Sequence, residues 1–140
     1  MRVPVWMIFG LLLVILIMDL TTIMVVRSRI LSAAELALDA ALVGGVNQED
    51  VFVGRLFIDE AAGFDLAQSY FKKNMGLNEN LENNFLKKTV FRIDFSQNAD
   101  KPKVIAEIST IITAVSTKVL GLEGVPVTVR GTRYYVSKYK

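Results

Sequence analysis

The chain has 140 residues, 52% of them hydrophobic, with 16 lysines and arginines against 14 aspartates and glutamates and neither cysteine nor histidine. That composition excludes disulfides, thiol nucleophiles and thiolate or imidazole metal sites, and a net charge of +2 with no basic stripe argues against a nucleic-acid partner. The length admits one compact domain beside an anchor and not two.

From Val3 to Val26 the only charged residue is Asp19. The run VPVWMIFGLLLVILIMDLTTIMVV makes about 36 Å of helix, against a hydrocarbon core of about 30 Å. A cleaved signal peptide has an apolar core of about 7–15 residues and a small-residue cleavage site. This run is longer, and Ala33-Ala34 comes late, beyond two arginines. Residues 1–28 are therefore read as a transmembrane anchor and membrane lipid as a partner. Arg2 flanks one end and Arg27 and Arg29 the other, so the positive-inside comparison is close to a tie. The mass of the chain lies after the anchor. Its near-neutral charge and lack of cysteine, which suits an oxidising compartment, place it outside: a single-pass protein of the cell membrane with its C-terminal domain outside the cytoplasm.

Asp19 is the odd residue of the anchor. A carboxylate in hydrocarbon costs about 3 kcal/mol on insertion scales unless paired or protonated. Arg27 lies about 12 Å further along the helix, beyond intrahelical pairing. Three readings stay open: an interfacial carboxylate reaching for water, a contact with another chain, or part of a proton or ion pathway.

After Val26 the sequence RSRILSAAELALDAALVGGV keeps helical spacing at Ile30, Ala34, Leu38, Ala41 and Leu42, with no proline or glycine before Gly44. This predicts a continuous rod from Val3 to Val43, about 60 Å long, with residues 29–43 carrying the anchor helix into the outer domain. Gly44-Gly45 is its stop. Arg29, Ser32, Glu35 and Asp39 form a polar flank, and the alanines allow another helix or a sheet to approach closely.

The rest, up to residue 140, reads as an α+β extracytoplasmic domain. NQEDVFVGRLF is a loop with a strand fragment or a lead into the next helix. Ile58 to Met75 is a second amphipathic helix, with Asp59 and Glu60 at its start, Lys72 and Lys73 near its end and Gly76 terminating it. The Asn-rich GLNENLENNF is a connector with one helical turn around Leu81–Leu86. TVFRIDF and KVIAEISTIIT alternate as antiparallel strands, with Phe91, Ile93 and Phe95 turned inward and SQNADKPK as the turn between them. Thr113 to Leu120 is a short helix or a strand, Gly121 to Gly124 a turn, and VPVTVRGTRYYV a further strand with a bulge at Gly131. The sum is a long helix, a second helix and an antiparallel sheet of three or four strands packed on the projecting half of the rod.

These residues resemble the TadE/TadG-like proteins of the Flp (tight adherence) pilus assembly system. The resemblance rests on Asp19-Leu20 in the outer half of the apolar helix and on VVRSRILSAAELALDAALVGGV. In the latter, Asp39 stands before Ala40, Ala41, Leu42, Gly44 and Gly45. AQSYFKKNMGL is similar to the family's second helix end, and VLGLEGVPVTVRGTRYYV to its closing strand; together these cover most of the chain. The resemblance implies a pilin-like layout and a structural or assembly role in a pilus or secretion machine, with no catalytic residue. Its implied partners are other single-pass pilin-like or Tad assembly proteins. The last strand departs from the family pattern in its basic and aromatic end (Arg133, Tyr134, Tyr135, Lys138, Tyr139, Lys140). The type IV prepilin mark is missing too, since Gly10 is followed by Leu11 to Ile15, all apolar.

Three functions are carried forward: a pilus or secretion-machine component, a membrane-tethered binding or sensor module, and an enzyme working through carboxylates such as Asp59-Glu60 or Asp94/Glu107. The first is preferred, with no enzymatic activity, cofactor or metal expected. Asp19, Arg27, Glu35 and Asp39 are the candidate helix–helix or assembly contacts, within a homo-oligomer or with other single-pass helices.

Overall fold

The fold is that of a computed structural model, which describes residues 4–46, 58–96 and 103–135. Its spine is α1, Val5–Gly45, a single 41-residue helix. Apolar and alanine-rich sequence without an internal proline lets it run unbroken through the two arginines. The two halves of α1 differ in their surroundings. From Val5 to Met18 nearly every side chain is exposed, Trp6 most of all, and this stretch is long and apolar enough to begin a membrane crossing that the helix continues beyond. From Ile30 onward the helix buries a stripe of Ile30, Ala33, Ala34, Ala37, Leu38, Ala41, Leu42 and Gly45, spaced by three and four residues as one helical face requires.

Two layers cover that stripe. The first is α2, Glu60–Met75, whose Gly63, Ala67 and Phe71 face inward at intervals of four. Its ends match the dipole and capping expectations. The carboxylate of Asp59 accepts hydrogen bonds from the amides of Ala61 and Ala62 at 3.0 and 3.1 Å, Glu60 sits in the first turn, and Lys72 and Lys73 lie in the last. Gly76 closes the helix in the left-handed conformation (φ 61°), which a glycine enters without steric cost. At Gly63 a Cβ would lie 3.1 Å from the Phe95 ring and 3.4 Å from the Ala41 carbonyl oxygen, so a side chain there would press chiefly on Phe95.

The second layer is an antiparallel sheet of three strands in the order β1 (Leu86–Ser96), β2 (Lys103–Ile112), β3 (Val125–Tyr134). The central β2 alternates strictly, burying Val104, Ala106, Ile108, Thr110 and Ile112 against the helices. Phe91 of β1 stacks on Phe71 of α2 with ring centroids 5.0 Å apart, joining sheet and helix in one core. Between β2 and β3 the chain forms one short helix, α3, Val115–Val119, which settles the open choice between helix and strand there.

Two expectations are corrected. The helical turn around Leu81–Leu86 does not form. The Asn78 side chain instead accepts from the amides of Asn80 and Glu82 (3.0 and 2.9 Å), and that of Asn83 from Phe85 and Leu86 (2.9 and 2.8 Å). Such side-chain bonds offer the backbone turns that compete with a helix. Nor is there a bulge at Gly131: β2 and β3 pair without interruption from Lys103↔Tyr134 to Ile112↔Val125. Gly131 instead faces α1, where a Cβ would come within 3.3 Å of Leu38. The irregularity lies in β1 between Lys87 and Val90, with Lys88 at φ 50°. The buried hydroxyls of Thr89 and Thr110 meet there at 2.8 Å. The strand fragment expected in NQEDVFVGRLF and the turn after Ser96 lie outside the described residues.

Candidate functional site

The residues singled out on the helix fall into three separate settings. Glu35 and Asp39, one helical turn apart on α1, converge on a single guanidinium of β3. Arg133 Nη2 lies 3.0 Å from Glu35 and its Nε 3.3 Å from Asp39. Two like charges four residues apart on a helix repel, and one forked cation between them removes that repulsion. Both carboxylates, expected as assembly contacts, are therefore engaged within their own domain, though all three side chains stay half-exposed. Arg27 is exposed and forms no ion pair among the described residues.

Asp19 meets a different partner. It is 5% exposed, the only buried residue of α1 before Ile30. Its Oδ1 accepts from the amide of Val115 at 2.9 Å and its Oδ2 from that of Ser116 at 3.1 Å. These are the first amides of α3, which have no acceptor inside that helix. The residue at the N-cap, Ala114, has no side-chain oxygen to offer, so the cap comes from a carboxylate 96 residues earlier in the chain. Thr117 completes the junction: its hydroxyl accepts from the Ala114 amide at 2.9 Å and donates to the Ala114 carbonyl at 2.8 Å. Of the three readings of Asp19, none had an intramolecular partner. The structure supplies one, and it ties the α3 end of the domain to the apolar half of α1.

Of the remaining acidic candidates, Asp59 and Glu107 take part in the fold. Asp59 caps α2. Glu107 stands at the register positions opposite Arg92 on one side and Arg130 on the other, a cross-strand row of alternating charge. No cluster of three or more acidic side chains that could hold a metal ion occurs among the described residues. An open groove of about 360 Å³ lies between α1 and the end of α2, with Arg29, Ser32, Asn74 and Met75 along it. Arg29 is its only charged lining residue, beside the polar Ser28, Ser32 and Asn74.

Comparison with protein-family models, with curated proteins and with solved structures gives no match to this chain.

Proposed function

We propose that this chain is a membrane-anchored structural or assembly component, minor-pilin or pseudopilin-like, of a Flp/Tad-type pilus or a related secretion machine, with its domain outside the cytoplasm. The observation that supports this reading is the division of α1. One helix serves as the spine of an α+β domain over its outer half and projects bare and apolar over its inner half. A simple tether needs no such rigid continuity. Subunits that stack side by side do, because it holds domain and anchor in one orientation. The TadE/TadG-like residues described above support the same reading.

Photocrosslinking in the native membrane tests it. A crosslinking side chain placed at Leu12 or Leu16, both exposed on the bare half, is expected to capture another single-pass helix of the machine or a second copy of this chain. Lipid adducts alone from both positions would overturn the assembly role. Protease cleavage of the domain in intact cells is expected, and full protection would reverse the orientation.

A further inference from the structure

We infer that the segment Val115–Leu122, α3 and the turn after it, is a second membrane contact, seated among lipids at the boundary of headgroups and acyl chains. This rests on α1 spanning the bilayer as proposed above.

The argument begins with length. The stretch of α1 free of the domain, Val5–Met18, provides about 21 Å of helix, whereas the hydrocarbon core is about 30 Å thick. An anchor that ends where the domain begins is too short by about two turns. The face of α1 turned away from the domain supplies the missing length: Leu20, Met24 and Val25 are all exposed and apolar, and the first positive charge after them is Arg27. A bilayer that covers those residues also reaches the level of Asp19, and with it the α3 end of the domain.

That end is built for such a position. Val115, Val119, Leu120 and Leu122 are 53, 80, 69 and 59% exposed, so four large apolar side chains within eight residues point away from the core. Singly exposed apolar residues are ordinary on a protein surface, but a cluster continuous with a membrane-spanning helix is not. Phe85, 51% exposed, belongs to the same end, since its carbonyl accepts from the Thr113 amide just before α3. The polar groups obey the same geometry. The carboxylate of Asp19 and the leading amides of α3 satisfy one another, leaving neither bare toward lipid. Lys118 has a stem long enough to lift its ammonium to the headgroups, and Glu123 is paired with Lys88 at 2.9 Å. A short apolar turn with cations at its rim is the composition of an interfacial membrane contact.

The absence of native cysteine makes a direct test simple. Leu120→Cys and Leu122→Cys, with Val14→Cys in the anchor and the exposed Val43→Cys far from it, are labelled with an environment-sensitive fluorophore. The full chain is then reconstituted in phosphatidylcholine vesicles carrying nitroxides either high or deep on the acyl chain. Probes at 120 and 122 are expected to shift to the blue and to lose most of their emission to the shallow nitroxide. The probe at 14 should respond to the deep one and the probe at 43 to neither. Emission at 120 and 122 that matches position 43 overturns the inference. So does a blue shift without quenching, which would mean that a second copy covers the tip. Loss of quenching at 14 would instead overturn the anchor reading itself. Because 120 and 122 are surface positions, unchanged amide exchange at Ile108 is expected in every labelled chain, and it separates a lifted tip from an unfolded domain.

Discussion

Along α1, the stretch Val5–Met18 and the stretch Ile30–Gly45 draw on similar apolar residues but distribute them differently. In the first, leucine, isoleucine, valine and methionine occupy every side of the helix, and all sides are bare. In the second, alanine takes half of the contact stripe, with Ile30, Leu38 and Leu42 as its large members. Small residues there let α2 and the sheet come close enough for Phe71 and Phe91 to fill the space between. The lesson is that hydrophobicity alone does not decide what covers a helix. A uniform coat of large side chains suits a fluid solvent such as lipid, while a stripe of small ones suits a rigid partner of fixed shape.

The largest expected effect comes from stripping the cover of the outer half. Phe71→Ala removes a fully buried ring that stacks on Phe91 of β1. A loss of about 3–5 kcal/mol is expected, read by pulse proteolysis of the full chain in micelles, with α1 remaining helical by circular dichroism. Ala37→Leu approaches the same stripe from the other direction. Ala37 is fully buried, and the added methylenes are expected to cost about 1–3 kcal/mol by overpacking. Tolerance of leucine there would break the distinction between the two halves.

The junction comes next. Asp19→Ala leaves the amides of Val115 and Ser116 without an acceptor, at an expected cost of about 1–3 kcal/mol. Exchange of those two amides should accelerate well beyond that of the core strands. Asp19→Asn keeps a carbonyl acceptor and is expected to fall between alanine and the parent. Arg133→Ala acts on half-exposed ion pairs, so its effect on stability is expected to stay below about 1 kcal/mol and to shrink further with added salt.

How much of this was legible beforehand depended on how local the causes were. The continuous rod followed from propensity and the absence of breakers. The second helix followed from its charged ends and Gly76, and the strands from the alternation in TVFRIDF and KVIAEIST. The turns after Gly76 were missed because Asn78 and Asn83 act through hydrogen bonds whose geometry residue type does not reveal. The role of Gly131 was misread because a glycine that admits a bulge and one that admits a neighbouring helix look alike in sequence. Asp19 was recognised as unusual, but its partner was not. The one signal was an alanine where α3 needs a capping oxygen, and nothing local connects Ala114 to a residue nearly a hundred positions earlier. The ion pairs of Glu35 and Asp39 were hidden for the same reason, since Arg133 reaches them only after the sheet has formed.

The smallest effect is expected at the bare half, and it is the most informative about function. Leu12 touches no part of the domain, so Leu12→Ala should change domain stability by no more than about 0.5 kcal/mol. The anchor keeps its length, and one leucine lost from so apolar a run leaves it able to insert. If lipid is the only neighbour of the inner half, nothing measurable follows. If other helices pack there, the substitution opens a gap in that contact, and crosslinking from Leu16 should fall while pulse proteolysis of the domain stays at the parent value. That combination separates assembly from folding in one variant. A parallel loss of domain stability would instead mean that the two halves of α1 are not independent, and the division on which the assembly role rests would have to be abandoned.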